Sequence, residues 1–136
     1  MELFVGIGEV KFSKFGILKT VGLGSCLGIA IYESKIKAGA LAHAMLPRSN
    51  GSKSAKFVDS AISIALELLE SAGGNRKSMI AKVAGGAQIF RHLTLENLKI
   101  GDRNIEVAKR TLFEYGIRIV SEDTGGNLGR SLYFFV

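Results

Sequence analysis

Apolar and polar positions along the chain change period several times, and each change marks an element. Residues 4–10 read as a first strand broken by Gly6 and Gly8, with a loop over 11–15 and a short strand over 17–21. A glycine-rich turn follows, Gly22-Leu23-Gly24-Ser25-Cys26-Leu27-Gly28. Residues 27–32 are apolar and β-rich, residues 33–36 connect, and residues 37–46 form another strand closed by Pro47. After a polar loop over 48–54 the period becomes helical. From about 56 to 71, Val58, Ala61, Ile62, Ala65, Leu68 and Leu69 make one apolar stripe, and Gly73-Gly74-Asn75 ends it.

A buried strand over 79–84 runs into Gly85-Gly86, and residues 87–100 read as a short helix and loop. Asp102 is placed to cap a second helix that runs to Tyr115, turns Ile105, Ala108 and Leu112 inward, and stops at Gly116. A strand over 117–120, a turn-rich loop over 122–127 and a closing strand over 131–136 complete the chain. Strands, helix, strand, helix, strands predict an α/β or α+β domain with helices covering a sheet, and antiparallel pairs in the first half. The length of 136 residues suits one domain, 1–136.

Composition narrows the function classes. A net charge of +6 favours acidic partners, but the basic residues are scattered, aromatics do not interleave with them and Trp is absent, so no nucleic-acid partner is expected. No apolar run approaches the ~18 residues of a membrane span, and the first residues lack the pattern of a signal peptide, so neither membrane insertion nor export is expected. One cysteine excludes an internal disulfide and fits a reducing cytoplasm. Gly22-x-Gly24 lacks the third glycine of a dinucleotide loop, and one cysteine with two scattered histidines predicts no zinc site and no other cofactor.

Candidate chemistry comes from a hairpin count. If 27–32 and 37–46 pair across the connection 33–36, Leu27 faces Ala42, Ile29 faces Ala40 and Ile31 faces Ala38, large against small throughout. In that register Cys26 lies opposite His43, with Cβ atoms roughly 4.5–5.5 Å apart. A slip of one residue would put them on opposite faces, whereas a slip of two would keep them near. A free thiol titrates near ~8.5 and an imidazole beside it takes the proton. Cysteine, histidine and backbone N–H groups around Gly24 and Ser25 would then supply nucleophile, base and oxyanion site for acyl chemistry. The plainer alternatives stand beside this one. Cys26 also reads as a small buried hydrophobe, Ser25 as a turn residue, and Thr20 as an ordinary β-branched strand residue.

The residues also resemble a known family. Thr20-Val21-Gly22-Leu23-Gly24-Ser25-Cys26 and Ala42-His43-Ala44-Met45-Leu46-Pro47 are similar to motifs of the CheD family of chemoreceptor glutamine deamidases. The likeness continues through Lys56-Phe57-Val58-Asp59-Ser60-Ala61, Ala84-Gly85-Gly86-Ala87, Ile100-Gly101-Asp102-Arg103-Asn104, Glu122-Asp123-Thr124-Gly125-Gly126-Asn127 and Gly129-Arg130-Ser131. The resemblance implies a layered α/β sandwich like the catalytic domains of bacterial toxin deamidases. It implies cytoplasmic hydrolysis of glutamine side-chain amides on chemoreceptor helices, without cofactor or metal. It carries a Cys-His-Thr triad onto Cys26, His43 and Thr20. It also implies methylesterase activity in some members and a CheC-type phosphatase as partner. Some relatives continue past position 136, so a partner contact made there would be absent. Two other classes stay open: a non-catalytic regulator of that phosphatase, and a cysteine amidase or esterase acting on small molecules.

Overall fold

A computed structural model describes residues 1–88 and 99–136. In chain order these form β1 (Glu2–Phe4), β2 (Val10–Ser13), β3 (Ile17–Leu23), β4 (Leu27–Glu33), β5 (Ala38–Ala44) and α1 (Val58–Ser71). A 3-10 turn (Arg76–Ser78), β6 (Met79–Gly85), α2 (Ile100–Glu114), β7 (Arg118–Thr124) and β8 (Arg130–Phe135) follow. The larger sheet has the order β2-β5-β4-β6-β7 and the smaller β1-β3-β8.

Alternation along β4 and β5 explains the layers. Leu27, Ile29 and Ile31, with Ala38, Ala40, Ala42 and Ala44, face the helices and pack on Ile62, Leu66 and Leu69 of α1 and Leu112 of α2. The intervening Ala30 and Leu41 face the smaller sheet and pack on Val5, Leu18, Leu132 and Phe134. The larger sheet is thus covered on both faces, helices on one side and the smaller sheet on the other. That accounts for two central strands with hardly a polar side chain. The fold is the expected layered α/β arrangement.

Several local expectations are corrected. Residues 10–13, read as the end of one strand and a loop, form β2, because Gly8 (φ +78°) turns the chain from one sheet to the other. β3 runs on to Leu23, with an irregularity between Thr20 and Leu23. The first half is not wholly antiparallel, since β1 lies parallel to β3. β7 extends to Thr124 and pairs parallel with β6, so it absorbs residues 122–124 of the expected loop. In α1, Leu66 and not Leu68 lies in the core; Leu68 is 37% exposed. Lys99 stands at the N-cap of α2, while Asp102 sits within the first turn, where its charge suits the helix dipole and it accepts a hydrogen bond from Gln88 Nε2 at 3.1 Å. The helix and loop expected over 87–100 fall, for residues 89–98, outside the described residues.

The hairpin register also differs. β4 and β5 are joined by residues 34–37, and the pairs are Leu27 with Ala44, Gly28 with His43, Ile29 with Ala42 and Ile31 with Ala40. Every pair is two positions from the expected one. Lys37 takes a left-handed conformation (φ +51°) and so belongs to the turn. Glu33 is the last residue of β4, buried, and its carboxylate accepts from the backbone N–H of Lys35 at 2.7 Å and of Asn75 at 2.9 Å. The pairing of large with small survives because alanines recur at 38, 40, 42 and 44, so faces are kept while partners change.

Candidate active site

The cysteine turn leaves the end of β3 and enters β4. Gly22 adopts φ +70°, a conformation that L side chains resist, and Gly24 N–H donates to Gly22 carbonyl at 3.0 Å, tightening the turn. The turn is then tied to the chain just past β6. Cys26 carbonyl accepts from Gly86 N–H at 2.9 Å, and Gly24 carbonyl accepts from Ala87 N–H at 2.8 Å. Cys26 forms a buried cluster with Leu23 and Ala84, against which Met45 and Leu132 pack, and is 9% exposed. The sequence reading left its exposure open; the structure buries it.

His43 lies on the face of β5 that meets the smaller sheet, opposite Gly28 and not opposite Cys26. A Cβ at position 28 would stand 3.0 Å from Leu132 Cδ2 and 3.1 Å from Leu23 Cδ1, so glycine lets the smaller sheet come close beside the imidazole. Leu132 also packs against the buried cluster of Leu23, Cys26 and Ala84, which places Cys26 at the same inter-sheet layer, just before β4. The ring itself is held from β3. Thr20 Oγ1 is 2.7 Å from His43 Nδ1, and both residues are buried. Thr20 is the residue that strand propensity alone would have passed over.

The tautomer follows from a third atom. Thr20 Oγ1 also lies 2.7 Å from Val5 carbonyl, which only accepts, so the single hydroxyl proton is donated there. The hydroxyl oxygen must then accept from Nδ1–H of His43, and Nε2 is left bare as an acceptor. Nε2 is buried and has no hydrogen-bond partner among the described residues, Cys26 Sγ included. Such contacts often tighten only when substrate binds. Burial pushes the Cys26 thiol above its ordinary value, against a smaller opposing effect of its own backbone N–H, and burial pushes His43 below its ordinary value. The resting pair is therefore neutral thiol and neutral imidazole.

Of the expected oxyanion donors, Gly24 N–H is spent on the turn, while the N–H groups of Ser25 and Cys26 donate to no other residue's backbone carbonyl among the described residues. Asn104 went unnoticed in the sequence as a site residue. It is fully buried on α2, and its Nδ2 donates to Ser25 carbonyl at 2.8 Å and to Met45 carbonyl at 3.1 Å. Its signal was a polar amide at a position the helical period assigns to the core. The loop over 48–54 lies elsewhere. With Asp59, Glu67 and Thr111 it lines a cavity of about 420 Å³ that neither Cys26 nor His43 borders. Among the described residues no three of His, Cys, Asp and Glu gather into a group able to hold a metal.

Fold and site define a three-layered α/β domain in which a threonine holds a histidine where its two sheets meet, with the cysteine turn entering β4 two residues before the histidine's strand partner. The family model described as CheD chemotactic sensory transduction matches residues 45–136. A protein of Archaeoglobus fulgidus named "Probable chemoreceptor glutamine deamidase CheD" is 56% identical over 136 residues, covering 98% of this chain and 87% of that one. A protein of the same name from Pyrococcus horikoshii is 44% identical, covering 97% and 85%. The chain belongs to the CheD family. Among solved structures, the Bacillus licheniformis hypothetical protein YfiH shares the fold at a TM-score of 0.55 and 13% identity, over 85% of this chain and 49% of that one. Neisseria meningitidis protein NMB0706 does so at 0.53 and 11%, over 98% and 70%. These fold neighbours stand where the resemblance had led us to expect toxin deamidases.

Proposed function

We propose that this protein is a chemoreceptor glutamine deamidase that converts glutamine side-chain amides on receptor cytoplasmic helices to glutamate and ammonia, with residues 1–136 acting as one deamidase domain. The observation that carries the mechanism is the chain Val5 carbonyl, Thr20 hydroxyl, His43 ring, which leaves Nε2 bare and able to accept a thiol proton. Relatives 56% and 44% identical bear the name of that activity.

In this mechanism Nε2 of His43 takes the proton of Cys26 as Sγ attacks the amide carbon. The carbonyl oxygen becomes an oxyanion held by the N–H groups of Ser25 and Cys26. The imidazolium passes its proton to the amide nitrogen, the C–N bond breaks and ammonia leaves a thioester. Water then gives a proton to Nε2 and attacks the thioester carbon. The C–S bond breaks, the thiol regains its proton and glutamate is released. Thr20 keeps the ring oriented through both halves.

The remaining elements of the reading rest on the family. The partner class is a CheC-type phosphatase, tested by pull-down from the source cell. The location is the cytoplasm, where the receptor helices lie; among the described residues no helix is long and apolar enough to cross a membrane. A likeness of the layered fold to the catalytic domains of bacterial toxin deamidases rests on the family resemblance alone, and superposition of the two folds tests it. The function itself is tested by incubating the protein with a receptor cytoplasmic fragment and following glutamine by mass spectrometry, with Cys26→Ala as control. If signalling survives in cells carrying Cys26→Ala, a non-catalytic regulator is the better reading.

A further inference from the structure

Helix α2 presents a core-facing stripe that includes Gly101, Asn104, Ala108 and Leu112. Three of these are what a buried stripe calls for; a fully buried asparagine is not, because an amide loses water on burial and must be repaid by hydrogen bonds. Asn104 spends both protons of its amide nitrogen on backbone carbonyls of two different segments. Since carbonyls only accept, the group facing them must be the NH2. One carbonyl belongs to Ser25, the residue before Cys26, and the other to Met45, two residues after His43.

The place of this bridge matters. The β4–β5 ladder ends at the pair Leu27 with Ala44. Beyond it the strands part: Met45 and Leu46 donate instead to Lys56 carbonyl, at 2.7 and 2.9 Å. Asn104 spans the two segments at the point where no ladder bond remains to do so. The helix is brought close enough by Gly101, where a Cβ would stand 2.5 Å from Gly86 carbonyl oxygen. Gly86 and Ala87 are the residues whose N–H groups hold Cys26 and Gly24.

We infer that Asn104 is a positioning residue that sets the cysteine turn against the histidine strand, so that α2 fixes the separation of nucleophile and base. The inference rests on the reading of Cys26 and His43 as the reacting pair. Two carbonyl acceptors specify an amide donor: aspartate would face them with a carboxylate, and leucine would fill the space and bond neither. The buried Oδ1, which has no partner among the described residues, is what an apolar replacement would remove along with the bridge.

The test uses Asn104→Leu and Asn104→Asp, each checked by circular dichroism and thermal unfolding. For folded Asn104→Leu, kcat on a receptor fragment should fall by about 10²-fold, the cost of a small misplacement of reacting groups, with KM within about twofold of wild type. The rate at which iodoacetamide alkylates Cys26 supplies a readout independent of any receptor. In the wild-type background His43→Ala should slow alkylation near neutral pH, because Nε2 takes the thiol proton only as Sγ attacks the reagent; in the Asn104→Leu background the same change should make no difference, because the base is no longer in reach during the attack. Asn104→Asp serves the same comparison should Asn104→Leu fail to fold. Wild-type kcat in a folded Asn104 variant, or an equal His43 effect in both backgrounds, would overturn the inference. Absence of a His43 effect in the wild-type background would overturn it together with the pairing of Cys26 and His43. A wild-type protein that shows the effect yet leaves receptor glutamines untouched would overturn only the proposed substrate.

Discussion

At the scale of single residues, the hydroxyl of Thr20 decides the protonation of a histidine it does not resemble chemically. Its proton goes to Val5 carbonyl, so its oxygen must take the proton of Nδ1. Thr20→Val keeps the shape and removes that acceptor. It should leave a buried Nδ1–H unpaired, cost about 1–3 kcal/mol of stability in denaturant unfolding and lower kcat, whereas Thr20→Ser should retain most of both. The pH dependence has a definite sign. With its value depressed by burial, His43 stays neutral below its ordinary 6.5, so the acid limb of kcat/KM should fall below 6.5 and not at it. Stability follows the same logic. As pH drops from 6.5 toward the folded value, the unfolded chain binds a proton at His43 that the folded chain refuses, and stability falls. Above 9.0 the folded chain keeps the Cys26 proton that the unfolded chain releases, so stability falls again as pH rises. A flat unfolding profile across both windows would contradict the burial of the pair.

At the scale of elements, the helices and central strands were legible because their burial leaves a period. The β4–β5 register was not, and the reason is visible in the residues. Ile29 meets an alanine whether the partner is 40 or 42, so the large-small rule fits both registers. What separates them is the turn, where Lys37 adopts a left-handed conformation that its residue type does not announce. His43 consequently faces Gly28, and Cys26, two positions before Gly28, is not directly opposite it. In α1 the apolar period admits Leu68 to the stripe, but Leu66 takes the core position. Leu66→Ala, which empties a core site 1% exposed, should cost about 2–5 kcal/mol in denaturant unfolding; Leu68→Ala, on the outer face, should cost less than about 0.5. Gly101→Ala should destabilise by about 1–3 kcal/mol, because the new methyl meets backbone and not a movable side chain.

For the molecule as a whole, the site is assembled from parts far apart in sequence. Thr20 comes from the smaller sheet, His43 from the larger, Cys26 from the turn that joins them, and Asn104 from the helical layer. Periodicity describes one element at a time, and so it could propose Cys26 and His43, which sit on neighbouring segments. It could offer Thr20 only as the nearest polar residue to the turn, with an ordinary strand residue the favoured reading, because its partner lies across the layer boundary; family resemblance made it the third member. Asn104 stands in the sequence only as part of a family motif, because its two partners, Ser25 and Met45, are 79 and 59 positions away. The β2 strand was missed for a related cause, since only its pairing with β5 distinguishes 10–13 from a loop.

The measurement that bears most directly on this account is mass spectrometry of a receptor cytoplasmic fragment after incubation with the purified protein and with Cys26→Ala, His43→Ala and Thr20→Val. The account predicts conversion of specific glutamines to glutamate by the wild-type protein, none by the first two variants and a reduced rate with the third. Undiminished conversion by Cys26→Ala would contradict it.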